Sequence, residues 1–147
     1  MIDSHYKNAH ARRIFNGIAQ GYEGPARILS YFQYDRWRRY LVSQLNLAPQ
    51  ASVLDVCTGT GLVATDIAMK KGCRVVGVDL SDRMIEQAQS NVRALYLAPS
   101  VDLVKGRAES LPFSDQSFDA VVFTFLFRYV RDPQATLCEL SRVLRPG

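Results

Sequence analysis

The residues with the clearest capacity for chemistry lie where a short apolar run gives way to a group of small residues. The run at 52–56 leads to Gly59, Thr60 and Gly61, and a helical pattern starts at Leu62. Because glycine has no Cβ atom, such a loop can turn tightly and let a ligand approach its backbone. The spacing fits the G-x-G-x-x-A pattern of dinucleotide-binding loops. A structural turn that binds no ligand is the alternative.

Two acidic residues favour a nucleotide site. Asp55 precedes Gly59 by four residues, inside the end of the apolar run. A carboxylate is costly to bury there without partners, so it should accept backbone N–H groups of the loop or face a cationic ligand. Asp79 ends a second apolar run, 18 residues after Gly61. A carboxylate at that point can accept both ribose hydroxyls of a nucleoside, or else cap the next helix.

Short apolar runs alternate with helical patterns after Pro49. The runs predict strands at 52–56, 73–80, 101–106 and 118–125. Helices are predicted at 62–71, 81–97 and 132–145, the last with Leu137, Leu140, Val143 and Leu144 facing inward. Strands without strict alternation, separated by helices, indicate a parallel sheet covered on both faces. The predicted fold class is α/β, a doubly wound, Rossmann-like and mostly parallel sheet that binds ligands at the carboxyl ends of its strands.

The chain before Pro49 has a different pattern. Apolar residues at helical spacing cover 9–20 and 35–47, and Gly21, Gly24 and Pro25 lie between them. We therefore expect two parts, a helical N-terminal extension at 1–48 and a Rossmann-like half domain at 49–147.

Composition excludes several classes of protein. The 147 residues suit one domain, and 48% apolar with 22% charged residues is typical of a globular chain. No apolar run approaches the ~18–20 residues of a membrane span, and the N-terminus lacks a secretory signal. The three cysteines form no C-x-x-C pair and predict reduced thiols in the cytoplasm. His5 and His10 have no partners at ligand spacing, so no metal site is expected.

The net charge of +4 reflects arginines clustered at Arg12–Arg13 and at Arg36, Arg38 and Arg39. Solvated helix faces are the simpler interpretation. Attraction to an anionic substrate, a membrane surface or nucleic acid is the alternative, and no motif supports nucleic acid. Trp37, beside three of these arginines, would suit peripheral contact with a membrane.

Several segments together resemble the motifs of class I S-adenosylmethionine-dependent methyltransferases. They are LDVCTGTG at 54–61, VVGVDLS at 75–81, GRAESLPFSDQSFDAVVF at 106–123 and ELSRVLRPG at 139–147. Three further segments resemble the ubiquinone/menaquinone C-methyltransferase family within that class. They are IFNGIAQGYE at 14–23, LSYFQYDRWRRYLV at 29–42 and TFLFRYVRD at 124–132.

The resemblance implies how the glycine loop would hold S-adenosylmethionine. Gly59, Thr60 and Gly61 match the loop around the methionine part of this cofactor, and Asp79 matches the acid that binds its ribose. Asp55 is included as a cofactor-binding residue of the same motif. Cys57, beside the loop, is interpreted as a small packing residue.

The resemblance also implies residues around the adenine and the sulfonium. Leu80 and Met84 would flank the adenine, although apolar residues at helical spacing would equally suit the core. Arg107 and Ala108 match the pair at the adenine edge, and Thr124 matches the Ser or Thr beneath the sulfonium. The family commonly has Asp or Asn where this chain has Arg107, which only donates hydrogen bonds. Arg107 would therefore stack on the adenine or point to solvent.

Two residues are candidates for a catalytic role on the same resemblance. Arg128 would stabilise the phenolate of a quinol-type ring as a cation, with an ion pair to Asp132 as the alternative. Tyr22, in the N-terminal lid, would orient the substrate or close over the cofactor. Tyr129 and Glu23 stand where the family has Asn and Asp, which bears on the acceptor more than on the cofactor.

The chain stops at Pro146–Gly147, where this fold normally enters its fifth strand. We expect three strands and two helices to be missing, in a truncated product or in a short protein completed by a partner chain. Exposed apolar surface would then favour a homodimer with exchanged elements.

The predicted function is methyl transfer from S-adenosylmethionine to a small, lipophilic, quinol-like acceptor. A fragment that binds the cofactor without turnover is the first alternative. An NAD(P)-dependent oxidoreductase is the second, since it shares the glycine loop and the acid at Asp79.

Overall fold

A computed structural model describes residues 33–147 of the chain. The helices and strands, in chain order, are α1 (Gln33–Gln44), β1 (Ser52–Val56), α2 (Leu62–Lys71), β2 (Arg74–Asp79), α3 (Asp82–Ala94), β3 (Val101–Lys105), β4 (Ala120–Phe123) and α4 (Pro133–Val143). A 3-10 turn at Leu126–Arg128 lies between β4 and α4. The helix predicted at 9–20 and the candidate residue Tyr22 lie outside the described residues.

The four strands form one parallel sheet in the order β3-β2-β1-β4. Central strand β1 pairs with β2 on one side and β4 on the other, so Val56 lies level with Val78 and Phe123. Their carboxyl ends therefore meet at one edge, where β1 and β4 lead their connections to opposite faces of the sheet. This is the switch point at which such sheets bind ligands, and the predicted fold class is confirmed.

The side chains of the strands fill a core on each face of the sheet. Val53 and Val75 pack with Ile67 of α2 and Val42 of α1 on one face. Leu54 and Val78 belong to the core of the other face, as do α4 and the loop after β3. Because successive side chains of a strand point to opposite faces, an almost continuous apolar run such as 52–56 is needed to serve both cores.

Strand β4 is shorter than the prediction of 118–125. At its start, the Phe118 N–H donates to Val143 O at 3.0 Å and the Arg145 N–H donates to Phe118 O at 2.8 Å. Phe118 therefore pairs with the chain that follows α4 and not with β1. At its end, Phe125 has a φ of 56°, a left-handed conformation that ends the extended backbone.

Local chemistry accounts for the starts of two helices. The Ser81 side chain accepts a hydrogen bond from the Met84 N–H at 3.3 Å at the start of α3. Asp132 Oδ1 accepts from the N–H groups of Gln134 and Ala135, both at 3.0 Å, at the start of α4. These side chains satisfy N–H groups that have no partner within the helix.

The predicted inner face of α4 is partly wrong. Leu140 and Val143 are buried, but Leu137 is 50% exposed and Leu144 is 37% exposed. The buried face instead includes Thr136. Thr136, Leu140 and Val143 are four and three residues apart, so they lie on the same side of the helix. Leu144 follows the last helical residue and has an extended backbone.

Helix α1 is attached to α2 through a buried carboxylate. Asp66 is only 6% exposed. Its Oδ2 accepts from Arg38 Nε at 2.8 Å, and its Oδ1 lies 3.2 Å from Lys70 Nζ. Arg38 also lies 3.5 Å from Asp35 of its own helix. A charge-assisted link of this kind holds the orientation of α1 as well as its position.

In the part of the chain that the structure describes, no helix is long and apolar enough to cross a membrane. The same residues contain no group of three or more metal-ligating side chains.

We predict that Arg38→Ala lowers the free energy of unfolding by about 1–3 kcal/mol, because it removes the main partner of the buried Asp66 carboxylate. Arg39→Ala is the matched control, since Arg39 is exposed on the same helix and should change stability by less than about 0.5 kcal/mol. Urea unfolding at neutral pH measures both. Equal losses in the two variants would contradict the role assigned to the Arg38–Asp66 pair.

Candidate functional site

The glycine loop follows β1 at the carboxyl edge of the sheet. Gly59 has a φ of 56° and Gly61 a φ of 80°, both in the left-handed region that favours glycine. A Cβ atom at Gly61 would lie 3.1 Å from Ala88 Cβ, so glycine also allows α3 to pack closely on the loop. A Cβ atom at Gly59 would meet no atom within 4 Å, which leaves the backbone of Gly59 accessible to a ligand.

Asp79, at the end of β2, connects this loop to the start of α3. Its Oδ2 accepts from the Gly59 N–H at 2.9 Å, and its Oδ1 accepts from the Ser81 N–H at 2.9 Å. Burial raises the pKa of Asp79, and the N–H donors oppose that rise. Asp79 therefore holds the loop and satisfies a backbone N–H group just before α3, and its binding of ribose hydroxyls stays a prediction.

Asp55 is buried beneath the loop, with 1% of its surface exposed. Its Oδ2 accepts from Thr58 Oγ1 at 2.7 Å, and the Ala64 backbone N–H also donates to it. Burial raises the pKa of Asp55 to about 7, with a smaller contribution from the Asp79 charge. The carboxylate therefore has the partners that the sequence analysis required, and a nearby positive charge would favour its ionised form.

Three residues that shape the loop were missed in the sequence analysis. Thr58 binds Asp55, and a Cβ atom at Gly77 of β2 would lie 2.8 Å from Thr58 Oγ1. Asn91 of α3 donates from Nδ2 to Thr60 O at 3.0 Å. A glycine inside a strand signals close approach of another group, so Gly77 could have been found. The other two depend on contacts that no local pattern reports.

Cys57 lies in the loop with a φ of 60°, which is rare for a residue other than glycine. Burial, together with the charges of Asp79, Asp55 and Glu109, raises the pKa of its thiol to about 12. The thiol is therefore protonated at neutral pH and is a poor nucleophile. This agrees with its interpretation as a small packing residue.

The loop after β3 brings Arg107, Ala108 and Glu109 towards this region. Ala108 is buried, and the Arg107 side chain is 50% exposed with its Nε 3.8 Å from Glu109 Oε2. Glu109 Oε1 is buried and has no hydrogen-bond partner among the described residues. Leaving a buried acceptor unpaired costs free energy, so this oxygen is available to a donor on a ligand.

The remaining cofactor candidates lie near the same edge. Leu80 follows β2 directly and is half-buried, and Thr124 follows β4 directly and is half-buried. Met84, in the first turn of α3, is 2% exposed. The structure therefore places Leu80 and Thr124 directly after the strands on either side of β1, and Met84 at the start of α3, and their contacts with adenine or sulfonium stay predictions.

Of the catalytic candidates, only Arg128 is within the described residues. It is exposed and ends the turn after β4. No salt bridge joins Arg128 to Asp132, whose Oδ1 caps α4 instead. The ion-pair alternative for Arg128 is therefore not what the structure shows.

We predict that Asp55 makes the unfolding free energy pH-dependent. Its pKa is raised from 3.8 to about 7 in the folded protein, so the contribution of Asp55 to stability is fully present below pH 3.8 and is lost as pH rises through 7. Between pH 5 and pH 8 the wild type should lose roughly 2–3 kcal/mol relative to Asp55→Asn, which cannot ionise. Asp102→Asn, at an exposed site on β3, is the matched control.

Chemical unfolding at several pH values checks this expectation. Parallel pH profiles for the wild type and Asp55→Asn would show that the carboxylate ionises normally in the folded chain.

Comparison with known proteins is consistent with this architecture. The model of the ubiE/COQ5 methyltransferase family matches residues 3–147. A ubiquinone/menaquinone biosynthesis C-methyltransferase UbiE from Geotalea daltonii is 36% identical, with 96% of this chain and 61% of the relative aligned. A demethylmenaquinone methyltransferase from Staphylococcus saprophyticus is 34% identical, with 100% of this chain and 63% of the relative aligned.

The chain thus spans about three-fifths of the length of these curated relatives, in line with the expectation that the complete family fold has further strands. The crystal structure of a SAM dependent methyltransferase from Aquifex aeolicus has the same fold, with a TM-score of 0.66 and 26% identity over 74% of this chain and 58% of that one. The family that matches the chain is one of methyltransferases and not of NAD(P)-dependent oxidoreductases. The chain has the glycine loop and the acid at the end of β2, and the family model matches almost its whole length. It therefore belongs to the ubiE/COQ5 methyltransferase family.

Proposed function

We propose that this protein transfers a methyl group from S-adenosylmethionine to a small, lipophilic, quinol-like acceptor. The observation that carries the proposal is the Asp79 carboxylate, which lies between the glycine loop and the start of α3 at the carboxyl edge of the sheet. The names of two relatives support the acceptor class, because both refer to methylation in quinone biosynthesis.

The residues present fit this cofactor. The open space beside Gly59 admits a ligand against the loop backbone, and the unpaired Glu109 Oε1 offers an acceptor within a buried region. Asp79 would accept from the ribose hydroxyls, since a carboxylate has acceptor capacity beyond its two backbone partners. Asp55 would face the positively charged methionine part. When bound, S-adenosylmethionine supplies an electrophilic methyl group on a positive sulfur.

The protein's part in such a displacement is alignment, exclusion of water and stabilisation of the acceptor's charge. We assign the last role to Arg128, because a guanidinium is always charged and is a poor base. Exposed aromatic rings adjoin it in sequence, with Phe125 60% and Phe127 41% exposed. The Phe127 ring packs edge-on against Phe123, with ring centroids 5.3 Å apart. These rings would form an apolar wall for a lipophilic acceptor.

The acceptor site extends, in this proposal, beyond the residues that the structure describes. Tyr22 would contribute from the N-terminal lid, and the curated relatives are longer than this chain. A chain that binds the cofactor without turnover is the alternative, and a homodimer with exchanged elements would be one way to complete the site. We also propose a cytoplasmic protein, in agreement with three cysteines that form no disulfide.

We predict that the chain binds S-adenosylmethionine and S-adenosylhomocysteine with micromolar affinity. Asp79→Asn should weaken both at least about tenfold, because the amide loses acceptor capacity towards the ribose and the Gly59 N–H. Asp102→Asn, an exposed carboxyl replacement on β3, should bind as the wild type does. Calorimetric titration at known oligomeric state measures these affinities. A folded chain that binds neither compound would refute the proposed cofactor site.

We predict that Arg128→Ala, in a form of the protein that turns over, reduces kcat at least about tenfold with little change in cofactor Kd. Arg131→Ala is the control, because Arg131 is exposed three residues further along. Methyl transfer to a demethylated quinol measures kcat, and calorimetry measures Kd. Equal losses in kcat and cofactor affinity would assign Arg128 to binding and not to catalysis.

A further inference from the structure

Helix α1 has an outer side that is unusual for its exposed aromatic residues. Trp37 is 72% exposed and Tyr40 is 64% exposed. They are three residues apart in the sequence, so they lie on the same side of the helix, about one turn apart. Val42 of α1 is buried in the core shared with α2 and the sheet, and Leu41 and Leu45, the latter just after the helix, pack against that core. The exposed rings are therefore not needed for the packing of α1.

The same outer side is cationic. Arg36 and Arg39 are exposed, and Arg36 lies about one turn from both Arg39 and Tyr40 on the helix. The one acidic residue of α1, Asp35, is half-buried and lies 3.5 Å from Arg38, which is itself turned towards Asp66 of α2. Negative charge is thus held on the α2 side of the helix. The outer side presents two arginines and two amphipathic rings.

We propose that this outer surface of α1, formed by Arg36, Trp37, Arg39 and Tyr40, binds the surface of an anionic lipid bilayer. Tryptophan and tyrosine favour the level of the lipid headgroups, where the ring is buried and its polar atom stays hydrated. Arginines beside them are attracted to anionic headgroups. Headgroup binding requires only this charged and aromatic surface, so it does not depend on methyl transfer.

The position of α1 determines where a bound bilayer would lie on the protein. The Arg38–Asp66 pair holds α1 against α2, and α2 begins directly after the glycine loop. A bilayer bound at α1 would therefore lie on the side of the sheet that α2 covers, beside the helix that follows the glycine loop.

Trp37 is the only tryptophan in the chain and reports directly on the contact. The test uses the unmodified chain with vesicles of phosphatidylcholine plus phosphatidylglycerol, and with vesicles of phosphatidylcholine alone. We expect a blue shift of Trp37 emission and quenching by brominated lipid with the anionic vesicles, and a much weaker response with the neutral ones. Raising the salt concentration should reverse most of the binding.

Two matched variants locate the surface. Arg36→Gln with Arg39→Gln should weaken vesicle partitioning more than about tenfold, because each arginine contributes roughly fivefold. Arg93→Gln with Arg131→Gln removes two other exposed arginines, away from α1, and should partition as the wild type does. Co-sedimentation measures partitioning, and circular dichroism and calorimetry confirm that each variant is folded and binds cofactor as before.

Several results would overturn the proposal. They are the absence of binding to anionic vesicles, binding without quenching of Trp37, and equal loss in both variants. Capture of a specific protein by this surface with no affinity for vesicles would also assign it to a different partner. Because cofactor binding is measured separately, failure here is distinguishable from failure of the proposed function.

Discussion

The hydrogen bonds of the Asp79 carboxylate are the constraint on which the candidate site depends. One oxygen binds the backbone of the glycine loop, and the other binds the backbone at the entry to α3. The loop follows β1 and the helix follows β2, so a single side chain links the segments that follow two paired strands. Gly61 and Ala88 complete the junction, since only a residue without Cβ lets α3 approach so closely.

Negative charge accumulates at this edge of the sheet. Asp55 and Asp79 have raised pKa values because both are buried, and their charges, with that of Glu109, raise the pKa of the Cys57 thiol. Burying carboxylates near one another is costly for the free chain. A ligand with positive charge reduces this cost, which is the electrostatic basis for a sulfonium cofactor in the proposed function. The stability of the chain and its affinity for such a ligand are thus coupled through the same carboxylates.

Helix α1 packs on α2 and the sheet with one side and exposes Trp37 and Tyr40 on the other. Its inner side completes a core with α2, and Arg38 satisfies a carboxylate that would otherwise be buried with one exposed lysine as its partner. This leaves the charged and aromatic outer side of α1 in a defined orientation relative to the glycine loop. In the membrane proposal, the inner side of α1 fixes the helix on the protein and the outer side meets the bilayer.

Periodicity and spacing in the sequence determined the fold class, the four strands, the glycine loop and the acid at Asp79, because each of these depends on residues close together along the chain. Tertiary structure alone decided that Thr58 binds Asp55 against Gly77, that Asn91 holds the Thr60 carbonyl and that Arg38 pairs with Asp66. It also shortened β4, because Phe118 pairs with the chain at the end of α4, and it left Leu137 exposed. Hydrogen bonds and ion pairs between distant segments form only when the sheet has assembled, and no local pattern in the sequence encodes which side chains will then meet.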